Sequence, residues 1–148
     1  LPEGDFVDKN GKVLGHHRGI GAYTIGQRKG LNLAMGHPVF VTGINPEENK
    51  IIIGENDELF QRALYASNVN LMSRASLDEP VRLTAKIRYA HKAAPCIARQ
   101  LPDGSLYVCF DEPQRAITPG QAVVLYDGDL VAGGGIIEKI APELDDAS

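Results

Sequence analysis

The sequence predicts a mainly β protein, with a small β-rich domain over residues 1–76 followed by a closed β-barrel over residues 77–148. Three observations support this. Residue pairs that close hairpins stand at Asn10-Gly11, Asp103-Gly104 and Asp127-Gly128, each between short apolar runs. Val81 to Tyr89 alternates strictly, with Val81, Leu83, Ala85, Ile87 and Tyr89 on one face and Arg82, Thr84, Lys86 and Arg88 on the other. Three hairpin-type units without a helical period then suggest closure into a small barrel.

Taken in order, Asp5 to Leu14 reads as a hairpin around Asn10-Gly11, and Ile20 to Ile25 as a short helix that Gly26 ends. Pro38–Ile44 and Lys50–Gly54 are β-rich runs joined by the turn-rich segment Asn45 to Asn49. Asp57 to Phe60 suits one loose helical turn, and Leu64 to Met72 a strand. Ser73 to Glu79 is polar, has no apolar period and precedes Pro80, which places the domain boundary there. Ile97–Leu101 with Leu106–Phe110, and Gln121–Tyr126 with Leu130–Ile137, form the later hairpins. Gly133, Gly134 and Gly135 interrupt a strand pattern and predict a bulge or barrel corner. Glu143 to Ser148 reads as a frayed tail.

With 43% hydrophobic and 23% charged residues, the composition is that of a globular chain. No apolar run approaches the ~20 residues that span a bilayer, and no signal-peptide pattern opens the sequence. A cytoplasmic protein without membrane contact is the expectation. Two cysteines without CxxC spacing argue against a disulfide framework and a zinc site. A net charge of −4 argues on its face against nucleic acid. The distribution reverses that. Lys9 to Pro46 and Pro80 to Pro102 contain ten of the fifteen cations and none of the nineteen carboxylates. Acid-free blocks in an acidic chain predict local positive patches suited to phosphate backbones.

Gly19 to Leu31 is the least ordinary segment, with four glycines in the twelve positions from Gly19 to Gly30 and the donors Tyr23, Thr24, Gln27, Arg28 and Lys29 between or beside them. It suits a phosphate or nucleotide, or equally a helix stop followed by a solvated turn. Gly19-Ile20-Gly21 lacks the βαβ context of a dinucleotide fingerprint, and no P-loop pattern occurs. Adjacent His16 and His17 cannot both face one metal from a regular element, so no metal site is expected. With Asp103-Gly104 as a two-residue loop, Cys109 faces Ala98 and Cys96 is its diagonal neighbour on the same side. At ~7–8 Å, that is too far for a disulfide, and both cysteines read as packing residues. No autonomous catalytic site emerges.

Tyr23-Thr24-Ile25-Gly26-Gln27-Arg28-Lys29-Gly30-Leu31, preceded by Gly15-His16-His17-Arg18-Gly19, resembles the signature of the bacterial tRNA-specific 2-thiouridylases. Two later runs match it in order: Lys86-Ile87-Arg88-Tyr89 with Pro95-Cys96, and Phe110-Asp111-Glu112-Pro113 through Thr118-Pro119-Gly120-Gln121 and Tyr126-Asp127-Gly128 to Gly133-Gly134-Gly135-Ile136-Ile137. The resemblance covers nearly the whole chain but only the family's later half. It implies a β-rich connecting domain and then a barrel similar to those of translation elongation factors. The family's ATP-pyrophosphatase loop and both catalytic cysteines would lie upstream of Leu1, and a start without methionine fits such a fragment. ATP with Mg is therefore implied for the missing domain and no cofactor for this one.

The activity implied for the parent is ATP-dependent adenylation of the wobble uridine at its 2-oxygen, then sulfur delivery from a persulfide relay. Some members carry an older methyltransferase label, although no methyl-donor fold is visible. The partners implied are tRNA and a sulfur-donor relay protein, with no DNA. By position, Arg88, Tyr89 and Gln121 match tRNA-contacting residues and His17 matches the motif histidine. The alternation puts Tyr89 on the core face, which would leave its hydroxyl or backbone to make the contact. Gln27, Arg28 and Lys29 would lie near the reacting nucleotide or form a packing turn against the missing domain. The other class of function is a stand-alone β-barrel module that binds RNA or protein without any role in thiolation.

Overall fold

In the computed structural model, which describes residues 2–72 and 77–143, the chain is built from strands and two short 3-10 helices. It divides into two units between Phe60 and Gln61. The first unit holds a four-stranded sheet of β1 (Gly4–Val7), β2 (Val13–His17), β3 (Phe40–Asn45) and β4 (Lys50–Gly54), in the order β2-β1-β4-β3. β1 runs parallel to β4, and the other pairs are antiparallel. Phe6, Tyr23, Leu31, Val39, Val41, Ile51 and Ile53 form its core.

The expected hairpin β1–β2 forms, but its turn is longer than two residues. Val7 faces Val13, and Asp8 organises the connection by accepting from the N–H groups of Asn10 and Lys12 through Oδ1, both at 2.9 Å. The short helix expected over Ile20 to Ile25 is limited to Ile20–Ala22, because Tyr23 adopts an extended backbone that sends its ring into the core. Asn56–Leu59 supplies the expected single helical turn.

The second unit is a closed barrel of β5 (Phe60–Leu71), β6 (Val81–Lys86), β7 (Ala94–Gln100), β8 (Leu106–Arg115), β9 (Ala122–Asp127) and β10 (Leu130–Ile140). Its order is β10-β5-β8-β7-β6-β9. The division therefore precedes the boundary expected at residues 73–79. That polar stretch, of which residues 73–76 lie outside the described residues, connects β5 to β6 within the barrel. Leu77 is only 2% exposed, and its carbonyl accepts from Gln100 N–H at 2.7 Å. A polar connector between two strands of one barrel has the composition of a linker, and only the pairing of β5 with β10 and β8 tells them apart.

Leu64, Leu83, Leu106, Val108, Phe110, Leu125 and Ile137 are among the side chains that fill the barrel. A smaller cluster of Ala63, Tyr107, Cys109 and Ala141 forms separately, and the Tyr107 hydroxyl donates to the Pro142 carbonyl at 2.6 Å. Glu143, expected to begin a frayed tail, pairs with Arg62 at 3.4 Å, and the rest of that expected tail lies outside the described residues.

The glycine triplet does what its placement suggests. β10 pairs with β9 on one edge and β5 on the other, with register shifts between Val131 and Gly133 and between Gly134 and Ile136. A Cβ on Gly134 would lie 2.3 Å from the Val123 carbonyl oxygen, a backbone atom that cannot swing aside. Gly134→Ala should therefore destabilise the chain by about 2 kcal/mol, the cost of overpacking a close-packed site, read as a lowered Tm in thermal denaturation.

Candidate functional site

In the first unit, the glycine-rich run forms a pinned turn. Gly26 N–H donates to Val41 O at 2.7 Å and Val41 N–H to Gln27 O at 2.9 Å, which ties the turn to β3. Gln27 closes it from inside: its Oε1 accepts from Thr24 N–H at 3.1 Å and its Nε2 donates to Lys29 O at 2.9 Å. Gln27, expected to contact RNA, thus has both ends of its amide engaged within the turn and acts as its clasp. Arg28 and Lys29 are exposed and form no ion pair or hydrogen bond through their side chains among the described residues.

His17 is corrected more sharply. It is 1% exposed, edge-on to Phe6 and Tyr23 at ring-centroid distances of 5.8 and 5.9 Å. Nδ1 accepts from Gly19 N–H and Nε2 donates to Asn49 O, both at 2.9 Å, which fixes the neutral Nε2–H tautomer. With no free polar atom and no exposed face, His17 holds the first unit together and does not present itself to RNA. The signal for this was the alternation of β2, which buries the second histidine and exposes the first. His16 pairs at the surface with Asp5 at 3.0 Å.

In the barrel, Lys86 pairs with Val124 across β6 and β9, so the chain directions carry Arg88–Tyr89 and Gln121 to the same end of that pair. Tyr89 is 99% exposed, not on a core face as the alternation suggested. β6 ends at Lys86, and the chain bends at Ile87–Arg88 before period two reaches the tyrosine. Arg88 donates through Nη1 to Arg115 O and through Nη2 to Ala116 O, both at 2.7 Å, stapling this turn to the end of β8 and the residue after it. Ala116 has φ of 57°, and its carbonyl also accepts from the Thr118 hydroxyl at 2.8 Å. Gln121 is exposed beside this segment, with its N–H on Thr118 O at 3.2 Å. Of the three cations expected on one strand face, only Arg82 and Lys86 lie on β6. Arg82 is paired with Asp111 at 2.8 Å, and Lys86 sits 5.5 Å from the Tyr126 ring centre.

The wider charge pattern is decisive. Lys12, Arg18, Arg28, Lys29, Lys92 and Arg99 are exposed and make no side-chain ion pair or hydrogen bond among the described residues. All six fall in the two acid-free windows.

Comparison with known proteins fits this architecture unit by unit. A tRNA methyl transferase PRC-barrel domain model matches residues 2–55, and an aminomethyltransferase beta-barrel domain model matches residues 61–137. The tRNA-specific 2-thiouridylase MnmA of Clostridioides difficile is 52% identical over 94% of this chain, and that of Acetivibrio thermocellus 51% identical over 93%. The chain belongs to the tRNA-specific 2-thiouridylase family. It spans 38% of the length of each of these two relatives.

The two cysteines of this 2-thiouridylase-family chain are buried and free. Their geometry differs from the expected one by a single step of register. Cys96 faces Phe110 and Ile97 faces Cys109, because three residues, not two, separate Leu101 from Ser105 in the β7–β8 turn. A one-residue slip exchanges faces. Cys96 therefore packs in the barrel core and Cys109 in the smaller cluster, on opposite sides of the sheet. Burial pushes the Cys96 thiol up to about 12, with the Asp111 carboxylate adding to the effect and Arg82 opposing it. Both sulfurs are packing groups, in agreement with the sequence.

The sign of the linkage follows. The Cys96 contribution is complete below the ordinary thiol value of 9.0 and is lost as pH rises towards about 12, because the unfolded chain ionises first. Wild type should lose stability through this range relative to Cys96→Ala, measured by chemical denaturation at a series of pH values. At neutral pH, an aromatic disulfide reagent should label neither cysteine until denaturant is added.

Proposed function

We propose that this chain is the tRNA-gripping part of an ATP-dependent uridine 2-sulfurtransferase, which makes 2-thiouridine at the anticodon wobble position. The observation that carries the RNA assignment is that, among the described residues, the six exposed, unpaired cations all lie in the acid-free windows. Among the described residues, cations elsewhere are engaged, including Lys50 with Glu48, Arg62 with Glu143, and Lys139 over the Tyr65 ring. Exposed cations without carboxylates are free to neutralise phosphates and release counterions.

The residues divide by role. Arg28 and Lys29 in the first unit supply charge. Tyr89 in the barrel offers a fully open ring on which an unstacked base can lie, a mode suited to RNA loops. Gln121 supplies an amide at the same end of the barrel. Arg88 holds the turn that presents Tyr89, and the guanidinium N–H groups not used on Arg115 and Ala116 remain for phosphate. The names of the relatives support tRNA as the substrate of the whole protein.

The sulfur-donor relay protein, the cytoplasmic location, and ATP with magnesium belong to the same reading. Among the described residues no three His, Cys, Asp or Glu side chains form a group that could hold a metal ion. In this reading ATP and magnesium are held outside this chain, and its residues have the task of holding and orienting RNA while a uridine leaves its stack. That step costs unstacking energy, which a firm grip elsewhere on the RNA offsets.

Two kinds of variant distinguish these roles in the full-length protein. Tyr89→Ala should weaken tRNA binding by about 1–3 kcal/mol with the salt dependence intact, as for the loss of one stacked base. Lys92→Ala should instead flatten the log–log salt slope by roughly 0.7–0.9, while Lys139→Ala leaves it unchanged. Filter binding across a salt series reads both quantities. Equal slopes for Lys92→Ala and Lys139→Ala would overturn the charge argument.

A further inference from the structure

Beside the pinned turn lies a concavity of about 420 Å³, lined by Arg28, Gly30–Leu33 and Gly36–Val39. We propose that it is a phosphate-binding site, in which Arg28 supplies the charge and the loop backbone supplies the donors. Four observations support this. The Arg28 guanidinium is exposed and has no partner among the described residues. The backbone N–H groups from Arg28 to His37 form no hydrogen bond there either, although Gly26 and Gln27 on one side and Val41 on the other are paired.

The loop is nevertheless held in place. Leu31 is 4% exposed, and Leu33 and Met35 pack against the same core, so alternate residues anchor it while its main chain stays unpaired. Positive φ at Gly30 (79°), Asn32 (56°) and Gly36 (79°) turns the backbone out of any regular ladder. N–H groups arranged in such turns form anion-binding concavities. Finally, no carboxylate lines the hollow, and His37 on its rim already engages Glu55 at 2.8 Å. Donors and positive charge without a competing acid suit a phosphate group.

That group is either a phosphodiester of RNA or the phosphate of a free nucleotide. The choice of RNA rests on the proposed function, whereas the site itself does not. In this assignment Gln27 is a positioning residue. Its amide fixes the turn from which Arg28 projects and makes no contact with the phosphate.

The test is an amide chemical-shift titration of the 148-residue chain with inorganic phosphate, ATP and a short RNA stem–loop in separate arms. Saturable shifts are expected at Gly30–Leu33 and Gly36–His37. Arg28→Gln should weaken them about tenfold, the loss of one charge-assisted contact. Lys50→Gln, which removes a cation paired with Glu48 and outside the hollow, should change them less than about twofold. Saturation at the lowest concentration by RNA assigns the site to the nucleic-acid backbone, and by ATP to a nucleotide. If RNA binds the chain while these amides stay still, the site is overturned and the RNA reading stands. If phosphate or ATP saturates these amides and RNA binds nowhere, the site stands and the RNA reading falls. Absence of saturable shifts with all three ligands, or equal behaviour of Arg28→Gln and Lys50→Gln, overturns the proposal.

Discussion

Closure of the barrel depends on one strand that must be shared. β10 pairs with β9 along one edge and with β5 along the other, and its three register shifts let it bend enough to serve both. That is possible because the partner backbones come closer than a side chain permits: a Cβ on Gly133, Gly134 or Gly135 would meet a carbonyl oxygen at 2.4, 2.3 or 2.6 Å. Closure leaves no barrel edge open to another chain. It also fixes the far side of the barrel, because β9 fastens β6 in register and thereby determines where the chain leaves β6. The exposed ring of Tyr89 is a consequence of that exit, three residues beyond the last residue of β6.

The net charge conceals a division of labour among cations. Arg62 and Arg82 have become structural: the first donates to Phe110 O at 2.9 Å and meets Glu143, and the second holds Asp111. Exposed pairs of this kind contribute little to stability, typically 0–1 kcal/mol, so their main effect is to remove charge from the field that RNA would meet. Lys9 is likewise paired with Glu58, although it stands in an acid-free window. A window is therefore a guide to free charge only after the fold has brought distant carboxylates into range. Carboxylates engage Lys9 and Arg82, the Tyr126 ring faces Lys86 and two carbonyls hold Arg88, which leaves six of the ten cations free.

Much of this was legible in the sequence because it is local. The positions of hairpins depend on a few adjacent residues, strand faces on period two, and the bulge on three neighbouring glycines, so all three could be read without the fold. What failed was the exact length of turns, the partners of polar side chains and the pairing between distant segments. The β7–β8 turn holds three residues instead of two, and that single step moved Cys109 to the other side of the sheet. The segment over residues 73–79 looked like a linker because nothing local tells a linker from a barrel connection. His17 and Gln27 looked functional because they stand in the glycine-rich signature and its preceding motif, yet each spends its polar atoms on backbone groups, one of them Asn49, thirty-two residues from His17. A motif names residue types. It does not say which of them face outward.

That distinction bears on how the glycine-rich signature works. His17, Tyr23 and Gln27 are inward: the histidine and tyrosine rings pack on Phe6, the tyrosine hydroxyl accepts from Arg18 N–H at 3.2 Å, and the glutamine closes the turn. Arg28 and Lys29 are outward. A long charged side chain on a mobile loop loses conformational freedom when it grips a phosphate, and that loss subtracts from affinity. Here the backbone beneath both cations is already fixed by Val41, Thr24 and the clasp, so only the side chains remain to be ordered. In the proposed RNA grip, the inward residues of the signature would thus act through the entropy of the outward ones. Their replacement would weaken the grip without removing a single contact to RNA.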